Sequence, residues 1–438
     1  MSAPDSSVRR TAPRGHRRRS SVLAWLAVLT VMLFVAPTIS TAAQTSATPI
    51  AAPPSLVWTE IGSDGQLNAR ALAATACPDI TIDDQSQPMV VRASATADFP
   101  GVVCEAVIPA NAKTAAIDSQ SLALLPDTLT RIAVIGDTGC RVKGDDYQDC
   151  ANPEAWPLQT IAAQVAAWRP ELIIHVGDYI YRESPCPEDA GCAGSPFGDN
   201  AATWRADVFT PLADLLPTTP WLFIRGNHET CARAGVGWFR YLAPEPAPAA
   251  CEQFTAPFPL TLPGGIHTVV MDSAEIGDVH TTPEINAAYI PQLQEVAALA
   301  NSGTWLLTHK PLAGALLDFG QGEQVATYAT LRAIANNELP HGISLAIAGH
   351  VHLGQALLFR REARTPTQLV VGNSGTRLDK GETATFAGEV LGDPDLGLGF
   401  IDAGFGYTRL EPAADRLTVT AVALDGGTTW KLVLPRSS

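Results

Sequence analysis

The stretch Leu172-Ile-Ile-His-Val-Gly-Asp-Tyr-Ile-Tyr181 decides the fold class of this chain. Its first half is a short apolar run with β-branched residues, which is typical of a buried strand. Gly177 allows a sharp turn, so Asp178 lies at the carboxyl end of that strand, where open α/β sheets place their ligands. A Gly-Asp step is also an ordinary turn signal, so an Asp that merely caps a loop is the alternative.

Strands and helices alternate on both sides of this stretch. A helical pattern covers residues 158–168, residues 203–215 are predicted to be helical, and residues 230–262 form a Pro-rich irregular excursion. After residue 355 the chain alternates as antiparallel hairpins do. The order of strands and helices predicts a largely parallel central sheet. Further apolar runs that read as strands begin at Ile132, Trp221, Thr268, Thr304 and Ser344.

Composition and charge exclude several classes of protein. The hydrophobic content of 46% is enough for one large or two moderate cores, and the charged content of 17% argues against general disorder. The first 43 residues carry a net charge of +5, which leaves −20 for the rest of a chain whose total is −15. A body this acidic argues against a nucleic-acid scaffold, which needs a basic surface.

The N-terminus has the features of an export signal. Three arginines, Arg17 to Arg19, precede an apolar run from Val22 to Ala36, and Thr41-Ala-Ala43 offers a small-residue cleavage site. The run is short for a membrane span, so we expect a periplasmic or extracellular protein with no stable span after cleavage; an uncleaved membrane anchor is the alternative. The predicted segments are a signal peptide (1–43), a flexible leader (44–54), a small β-rich domain (55–127) and a catalytic domain (128–436).

The eight cysteines support export, because an even number in an exported chain indicates disulfides. No pair has the CxxC spacing of a structural zinc site. Many pairings are open, and the simplest joins sequential neighbours. Those pairs are Cys77–Cys104, Cys140–Cys150, Cys186–Cys192 and Cys231–Cys251.

Five short blocks each place a metal-binding side chain directly after an apolar run. Any one of them has an ordinary explanation, such as a helix cap for Asp137 or a core imidazole for His309. Clusters of His, Asp and Asn at strand ends are nevertheless typical of metal sites, and all five occur here in order. The blocks are Gly136-Asp137-Thr-Gly139, Gly177-Asp178-Tyr-Ile-Tyr181, Gly226-Asn227-His228-Glu229, Thr308-His309-Lys310-Pro311 and Gly349-His350-Val-His352.

This series of blocks resembles the calcineurin-like metallophosphoesterase superfamily over about residues 131–376. Two features are similar to its purple acid phosphatase branch: Gly139 replaces the usual first histidine, and Tyr181 offers a phenol three residues after Asp178. The Gly177–Tyr181 block also resembles that of PhoD-like alkaline phosphatases. The resemblance implies an α/β fold, a four-layer α/β/β/α sandwich with two facing sheets.

The resemblance also implies a ligand set for two metal ions. Metal one would take Asp137, Asp178, Tyr181 and His352, and metal two would take Asp178, Asn227, His309 and His350. A tyrosinate is a hard anionic donor, so Fe(III) is expected at metal one, with Fe, Zn or Mn at metal two. Tyr179, the competing phenol, is assigned to packing or to the rim of the site.

Further roles follow for residues beside the ions. His228 would stabilise the phosphoryl group or protonate the leaving group, and Glu229 would orient His228. Arg225 and Asn373 are weaker candidates for substrate contacts. One departure concerns the branch: no histidine follows His309 at about ten residues, where acid phosphatases of this kind carry one.

The sequence therefore predicts an exported binuclear-metal hydrolase. It would cleave a small phosphorylated substrate, with phosphomonoesterase-like preference, through attack by metal-activated hydroxide. A phosphodiesterase or a PhoD-like alkaline phosphatase is the alternative within enzymes. A non-catalytic cell-surface binding protein with a vestigial site is the alternative from another class, although none of its expected ligands is substituted.

Overall fold

The computed structural model describes residues 56–278, 282–316, 326–327, 339–363, 365–388 and 395–436. The expected signal peptide (1–43) and leader (44–54) lie outside these residues. Residues 52–438 form one compact unit.

The described residues contain strands of two to eight residues. In chain order they are β1 (Leu56–Ile61), β2 (Leu67–Ala73), β3 (Asp79–Ile82), β4 (Gln85–Pro88), β5 (Val90–Ala93), β6 (Val102–Ile108), β7 (Ala115–Ile117), β8 (Gln120–Ser121), β9 (Ile132–Ile135), β10 (Val142–Lys143), β11 (Asp146–Tyr147), β12 (Leu172–His175), β13 (Trp221–Phe223), β14 (Phe258–Leu262), β15 (Ile266–Val270), β16 (Thr304–Leu307), β17 (Ala315–Leu316), β18 (Ala326–Thr327), β19 (Ile343–Ala348), β20 (Gly354–Phe359), β21 (Thr367–Val371), β22 (Ala384–Ala387), β23 (Leu396–Asp402), β24 (Gly406–Pro412), β25 (Arg416–Ala423) and β26 (Thr428–Pro435).

The described helices are fewer and mostly short. They are α1 (Leu158–Trp168), α2 (Ala201–Trp204) continued by a π-helical turn (Arg205–Phe209), α3 (Gly235–Tyr241), α4 (Pro283–Leu299) and the 3-10 turns Leu216–Thr218, Asn227–Glu229 and Arg361–Ala363.

One large sheet has ten strands in the order β26-β25-β24-β9-β12-β13-β1-β2-β6-β5. Its centre is parallel: β12 pairs with β9 on one side and β13 on the other, and β13 pairs with β1. Every residue of β12 is buried, which is expected of a parallel strand covered on both faces. The predicted parallel centre is therefore present.

A second sheet has eight strands in the order β14-β15-β16-β19-β21-β20-β23-β22. The four adjacent strands β15, β16, β19 and β21 pair with one another in parallel. The run at 369–371 lies in β21, which pairs antiparallel with β20, as the sequence pattern predicted, and parallel with β19 on its other side. The hairpins predicted for the tail are observed in β24, β25 and β26.

Three hydrophobic clusters stack these elements in four layers. The cluster between the sheets joins Ile174 of the first sheet to Leu307 and Ile347 of the second. A cluster on the outer face of the ten-stranded sheet includes residues of α1, α2 and α3, and one on the outer face of the eight-stranded sheet includes residues of α4. The predicted α/β/β/α sandwich is confirmed.

The segment before residue 127 is rich in strands, as expected. Strands β1, β2, β5 and β6 extend the ten-stranded sheet, while β3, β4, β7 and β8 form a sheet of their own above a separate hydrophobic cluster. The segment thus has its own core but shares main-chain hydrogen bonds with the strands that follow. Its division from the rest at residue 127 stays a prediction.

Two helices differ from the sequence reading. Helix α3 lies within the stretch 230–262 that was expected to be irregular, and α4 was not anticipated. Helix α4 begins where the Thr282 side chain accepts a hydrogen bond from the Ile285 N–H and Pro283 takes the first position. Its internal Pro291 hid the helical pattern.

The structure has the four sequential disulfides expected from the sequence, Cys77–Cys104, Cys140–Cys150, Cys186–Cys192 and Cys231–Cys251. Three of them close loops that directly follow the candidate metal-binding blocks. Within the part of the chain that the structure describes, every helix falls short of what a membrane crossing requires in length or apolar character.

Candidate metal centre

Candidate ligands follow the carboxyl ends of five parallel strands. Asp137 follows β9, Asp178 follows β12 and Asn227 follows β13, all in the ten-stranded sheet. His309 follows β16 and His350 follows β19 in the facing sheet. The two parallel regions therefore bring their ligand-bearing ends to a common edge of the sandwich.

Sharp turns redirect several of these side chains. Asp137, Asp178 and His350 have left-handed backbones with φ of 55°, 59° and 72°, which non-glycine residues rarely adopt. Before Asp178, Gly177 has a φ of 104°, and a Cβ there would lie 2.5 Å from the His309 ring. Only glycine fits this close approach, which explains the Gly-Asp step.

One group of side chains surrounds the phenol of Tyr181. The Tyr181 Oη lies 2.8 Å from Asp178 Oδ2, 2.9 Å from Asp137 Oδ1 and 2.9 Å from His352 Nε2. His352 Nε2 is also 3.5 Å from Asp137 Oδ1. These are the four residues expected around metal one.

A second group meets the first at Asp178. His309 Nε2 lies 3.0 Å from Asn227 Oδ1 and 3.2 Å from Asp178 Oδ2. Potential ligand atoms of Asp178, His309 and His350 all lie within 4.8 Å of one another. The same Asp178 oxygen, Oδ2, thus faces both groups.

His228 lies beside these groups with its ring on the Tyr181 ring, at 3.8 Å between centroids. Its Nδ1 is 2.9 Å from the Ile180 carbonyl oxygen and 3.0 Å from Glu183 Oε1. Its Nε2 is 3.7 Å from Asp178 Oδ2. Arg233 Nη2, a donor, lies 2.8 Å from Nδ1 and 2.7 Å from Nε2, so Nε2 lies between this guanidinium group and the candidate metal centre.

Glu229 supports the turn rather than the imidazole, which differs from the role expected for it. The orientation of His228 comes from the acceptors on its Nδ1. The buried Glu229 carboxylate instead accepts hydrogen bonds from the main-chain N–H groups of Gly226, Asp178, Tyr179 and Ile180.

The weaker substrate candidates Arg225 and Asn373 are both buried, and their contacts are structural. Arg225 donates to the Glu229 carbonyl oxygen and to Asp272 Oδ2, each at 3.0 Å. Asn373 Nδ2 donates to the Gly404 carbonyl oxygen at 2.8 Å. Arg225 is thus engaged below the Asn227 turn, and Asn373 below the turn into β24.

Tyr179 is fully buried, and its hydroxyl donates to the Ile224 carbonyl oxygen at 2.9 Å. Its ring stacks on His175, whose Nε2 lies 2.9 Å from Thr138 Oγ1. Tyr179 therefore packs behind the centre, as the sequence reading assigned it.

Burial changes the protonation of the clustered groups. It raises the pKa of Asp137 well above its usual value, and the adjacent Asp178 carboxylate raises it further. Burial, followed by the charges of Asp137 and Asp178, likewise raises the pKa of the Tyr181 phenol. Burial lowers the pKa of His350 to about 4, so its imidazole is neutral near pH 7.

This donor set fits bound cations. Histidine binds metal ions in its neutral form. A bound cation also offsets the free-energy cost of burying ionised carboxylate and phenolate groups. Oxygen and nitrogen donors of this kind suit borderline and hard metal ions. Strained turns that aim three of the side chains inward are typical of functional sites.

Several supporting residues were missed by the sequence reading because they come from other elements. Asp207, in the π-helical turn, accepts from the main-chain N–H of Tyr181 at 3.2 Å. Asp379 Oδ2 accepts from the N–H of His352 at 3.0 Å. Asp278 Oδ1 lies 2.9 Å from His350 Nε2. No local motif marks any of these carboxylates in the chain.

A cavity of about 300 Å³ opens beside His228. Larger cavities of about 620 and 480 Å³ are lined by none of the candidate ligands. None of the candidate metal ligands lines the smaller cavity either, but His228 does, so of these three cavities it is the one beside the candidate site. Its lining includes Ile180, Arg182, Glu183, Asp199 and Arg233.

Comparison with known proteins agrees with this fold. A family model described as calcineurin-like phosphoesterase matches residues 130–354, just over half of the chain. Among solved structures, the purple acid phosphatase PPD1 from yellow lupin (Lupinus luteus) seeds has a TM-score of 0.58 at 13% identity, covering 88% of this chain and 75% of that chain. The structure of PhoD has a TM-score of 0.53 at 11% identity, covering 89% and 90%. Curated protein sequences give no match. At these identities the structural likeness is one of fold.

Proposed function

We propose, from the premise that the chain belongs to the calcineurin-like phosphoesterase family, that it is an exported binuclear-metal hydrolase of phosphate esters. One observation carries the proposal. The Asp178 Oδ2 atom lies 2.8 Å from Tyr181 Oη and 3.2 Å from His309 Nε2, so a single carboxylate oxygen faces both groups of candidate ligands. A bridging carboxylate of this kind would hold two ions at the spacing that phosphoryl transfer uses.

The proposed ligands divide along those two groups. Metal one takes Asp137, Asp178, Tyr181 and His352, and metal two takes Asp178, Asn227, His309 and His350. The phenol at metal one favours Fe(III), while the nitrogen-rich second set suits Fe, Zn or Mn. When bound, the two ions supply positive charge for the phosphoryl oxygens and lower the pKa of a bound water.

His228 is the proposed general acid. Its Nδ1 lies beside the Ile180 carbonyl oxygen and Glu183, and its Nε2 lies 3.7 Å from Asp178 Oδ2, so in this proposal Nε2 carries the proton that the leaving group takes. Attack of hydroxide, formed when a water molecule loses a proton to the solvent, makes a new P–O bond and breaks the ester P–O bond on the opposite side, and the leaving oxygen takes the His228 proton. Transfer of this kind contributes typically about 10²–10⁴-fold to the rate.

The site favours a small phosphorylated substrate. The cavity beside His228 holds about 300 Å³, and the Arg182 and Arg233 guanidinium groups line it together with the Glu183 carboxylate. A mixture of charges in so small a space suits a polar leaving group. The acidic body of the protein does not suit a nucleic-acid scaffold role.

A phosphodiesterase or PhoD-like activity is the second candidate. The segment from Lys310 to Gly320, which follows His309, contains no histidine. Acid phosphatases of this branch carry a histidine in that segment. A site without that histidine has one hydrogen-bond donor fewer for the phosphoryl group of a monoester, which carries two negative charges. This departure favours diesters, whose phosphoryl group carries a single charge.

Export is proposed on separate grounds. The four disulfides are typical of proteins that fold in an oxidising compartment. The predicted signal peptide would deliver the chain to the periplasm or the cell exterior, with an uncleaved anchor as the alternative. Mass spectrometry of the N-terminus of secreted protein would test this, with a first residue near 44 as the expected result.

The enzymatic proposal is tested by separate kinetics on p-nitrophenyl phosphate and bis(p-nitrophenyl) phosphate. Wild-type protein with bound metal should hydrolyse the monoester with the higher kcat/KM, and Asp178→Ala should remove the activity. A higher kcat/KM for the diester selects the second candidate. If wild type cleaves neither ester, a non-catalytic binding protein replaces both proposals. If Asp178→Ala keeps the wild-type activity, the proposed binuclear centre is not the source of that activity.

A further inference from the structure

The loop after β15 carries a carboxylate to His350 from outside the five metal-binding blocks. Asp278 Oδ1 lies 2.9 Å from His350 Nε2 and 2.5 Å from Lys310 Nζ. Lys310 directly follows His309, so one carboxylate contacts a candidate ligand and the neighbour of another. No sequence motif links Asp278 to either histidine.

The loop is held against the strand end that bears His309. Ser273 Oγ accepts a hydrogen bond from the Lys310 N–H at 2.8 Å and lies 2.8 Å from Thr308 Oγ1. The Lys310 ammonium also donates to the Ile276 carbonyl oxygen. Asp278 is thus delivered to His350 by a fixed segment.

The exposure of Asp278 argues against a role in the core. Its side chain is 48% exposed, whereas the His350 side chain is 11% exposed. An ion pair with one half-exposed partner contributes little to stability. The contact therefore matters more for the orientation of the imidazole than for the fold.

We propose that Asp278 is a positioning residue for His350: it holds Nε2, so that Nδ1 is the nitrogen that binds the second metal ion. This inference rests on the proposed binuclear centre. Histidines that ligate metals commonly donate their other ring N–H to a carboxylate, which fixes the tautomer and the ring and strengthens the ligand. Lys310 would balance the carboxylate charge.

The test uses full-length mature protein from which metals have been stripped. Zn²⁺ is titrated in competition with a chromophoric chelator, so that two affinities are resolved without any measurement of activity. Asp278→Asn and Asp278→Ala should weaken one site about 10–100-fold, the usual cost of losing a group that supports a ligand, and leave the other unchanged. Asp278→Glu, which keeps a carboxylate, should recover part of the loss. Glu295→Gln, an exposed acid-to-amide change on α4, is the matched control.

A spectroscopic signature separates positioning from general destabilisation. With Co²⁺ as the probe, the visible d–d bands of one site should shift in Asp278→Asn, while the unfolding midpoint of the metal-free protein stays at the wild-type value. The proposal would be overturned if both Zn²⁺ affinities of Asp278→Ala equalled those of wild type. It would also be overturned if both sites were weakened equally and the unfolding midpoint of the metal-free protein fell. Wild type that binds no Zn²⁺ would overturn the binuclear centre itself, which distinguishes the two failures.

Discussion

At the scale of single residues, the centre depends on backbone strain at three candidate ligands. Asp137, Asp178 and His350 all have positive φ, and each such residue costs about 1–3 kcal/mol. Hydrogen bonds from main-chain N–H groups hold these turns: the Asp137 N–H donates to the Gly177 carbonyl oxygen, and the His350 N–H donates to the Asp137 side-chain Oδ2, both at 2.9 Å. These hydrogen bonds join the turn at Asp137 to the turns at Gly177 and His350, so each strained turn is stabilised by a neighbouring turn.

Tyr181 provides a spectroscopic prediction. The buried phenol stays neutral beside two carboxylates, because burial and their charges raise its pKa; an Fe(III) ion would reverse this and bind the phenolate. Iron-loaded wild type should therefore show a visible charge-transfer band that Tyr181→Phe removes. Tyr179→Phe is the matched control, because the Tyr179 hydroxyl donates to the Ile224 carbonyl oxygen. Removal of this hydroxyl should leave the charge-transfer band unchanged. An iron-replete wild type without colour would contradict the phenolate ligand.

His228 provides a kinetic prediction. His228→Ala should lower kcat by about 10²–10⁴-fold on alkyl phosphates, and by less on p-nitrophenyl phosphate, whose leaving group needs no proton. Metal content should remain that of wild type, because His228 is not among the proposed ligands. The exposed His341 gives the control His341→Ala, with wild-type kinetics expected. An equal loss for good and poor leaving groups would exclude the general-acid role.

At the scale of elements, the predictable part of the site consists of strand ends. The apolar run of β12, the turn at Gly177 and the ligand after it are neighbours in the chain, so their relation is visible in the sequence. The same holds for His309 after β16 and for His350 after β19. Asp278 and Asp207 could not be found in this way, because packing between distant elements creates their contacts.

Helices were harder to predict than strands for a related reason. Helix α3 is short and lies between Pro-rich stretches, so too few turns are present for an apolar period to emerge. Helix α4 contains Pro291, which breaks the pattern although the helix continues. The sharing of one sheet by β1 and β13 depends on tertiary pairing between residues about 160 positions apart, which no local pattern encodes.

The loop after α3 contains Glu245, a half-buried acid whose raised pKa predicts a pH effect. Burial raises the pKa of Glu245 to about 7 from 4.5, and its Oε2 is buried without a hydrogen-bond partner among the described residues. The protonated form is therefore favoured in the fold, and its contribution is lost as pH rises from about 4.5 through 7. Glu245→Gln imitates that form, so its free energy of unfolding should exceed that of wild type above pH 7, by up to about 3 kcal/mol.

Chemical denaturation across this pH range measures the effect. The difference between Glu245→Gln and wild type should vanish below about pH 4.5. Glu295→Gln, on the exposed face of α4, should follow the wild-type curve at each pH. A Glu245→Gln curve parallel to wild type from pH 4 to 8 would show that Glu245 ionises in the fold as it does in the unfolded chain.

At the scale of the whole molecule, the sandwich gathers side chains that are far apart in the chain. Asp137 and His352 are separated by more than two hundred residues, yet their side-chain atoms lie 3.5 Å apart. The facing of the two sheets accounts for this, since each sheet supplies one part of the centre. The order of the candidate ligands along the chain could be predicted from the sequence. The supporting loops could not be predicted, because the positions of these loops depend on the packing of the sandwich.

The most direct test of the account is a count of metal ions per chain in wild type and Asp178→Ala, by plasma mass spectrometry after identical reconstitution. Asp425→Ala, at the exposed turn between β25 and β26, serves as the control. The account predicts two ions in wild type and in the control, and at most one in Asp178→Ala, because both proposed ligand sets lose the carboxylate they share. Fewer than two ions in wild type, or two in Asp178→Ala, would contradict it.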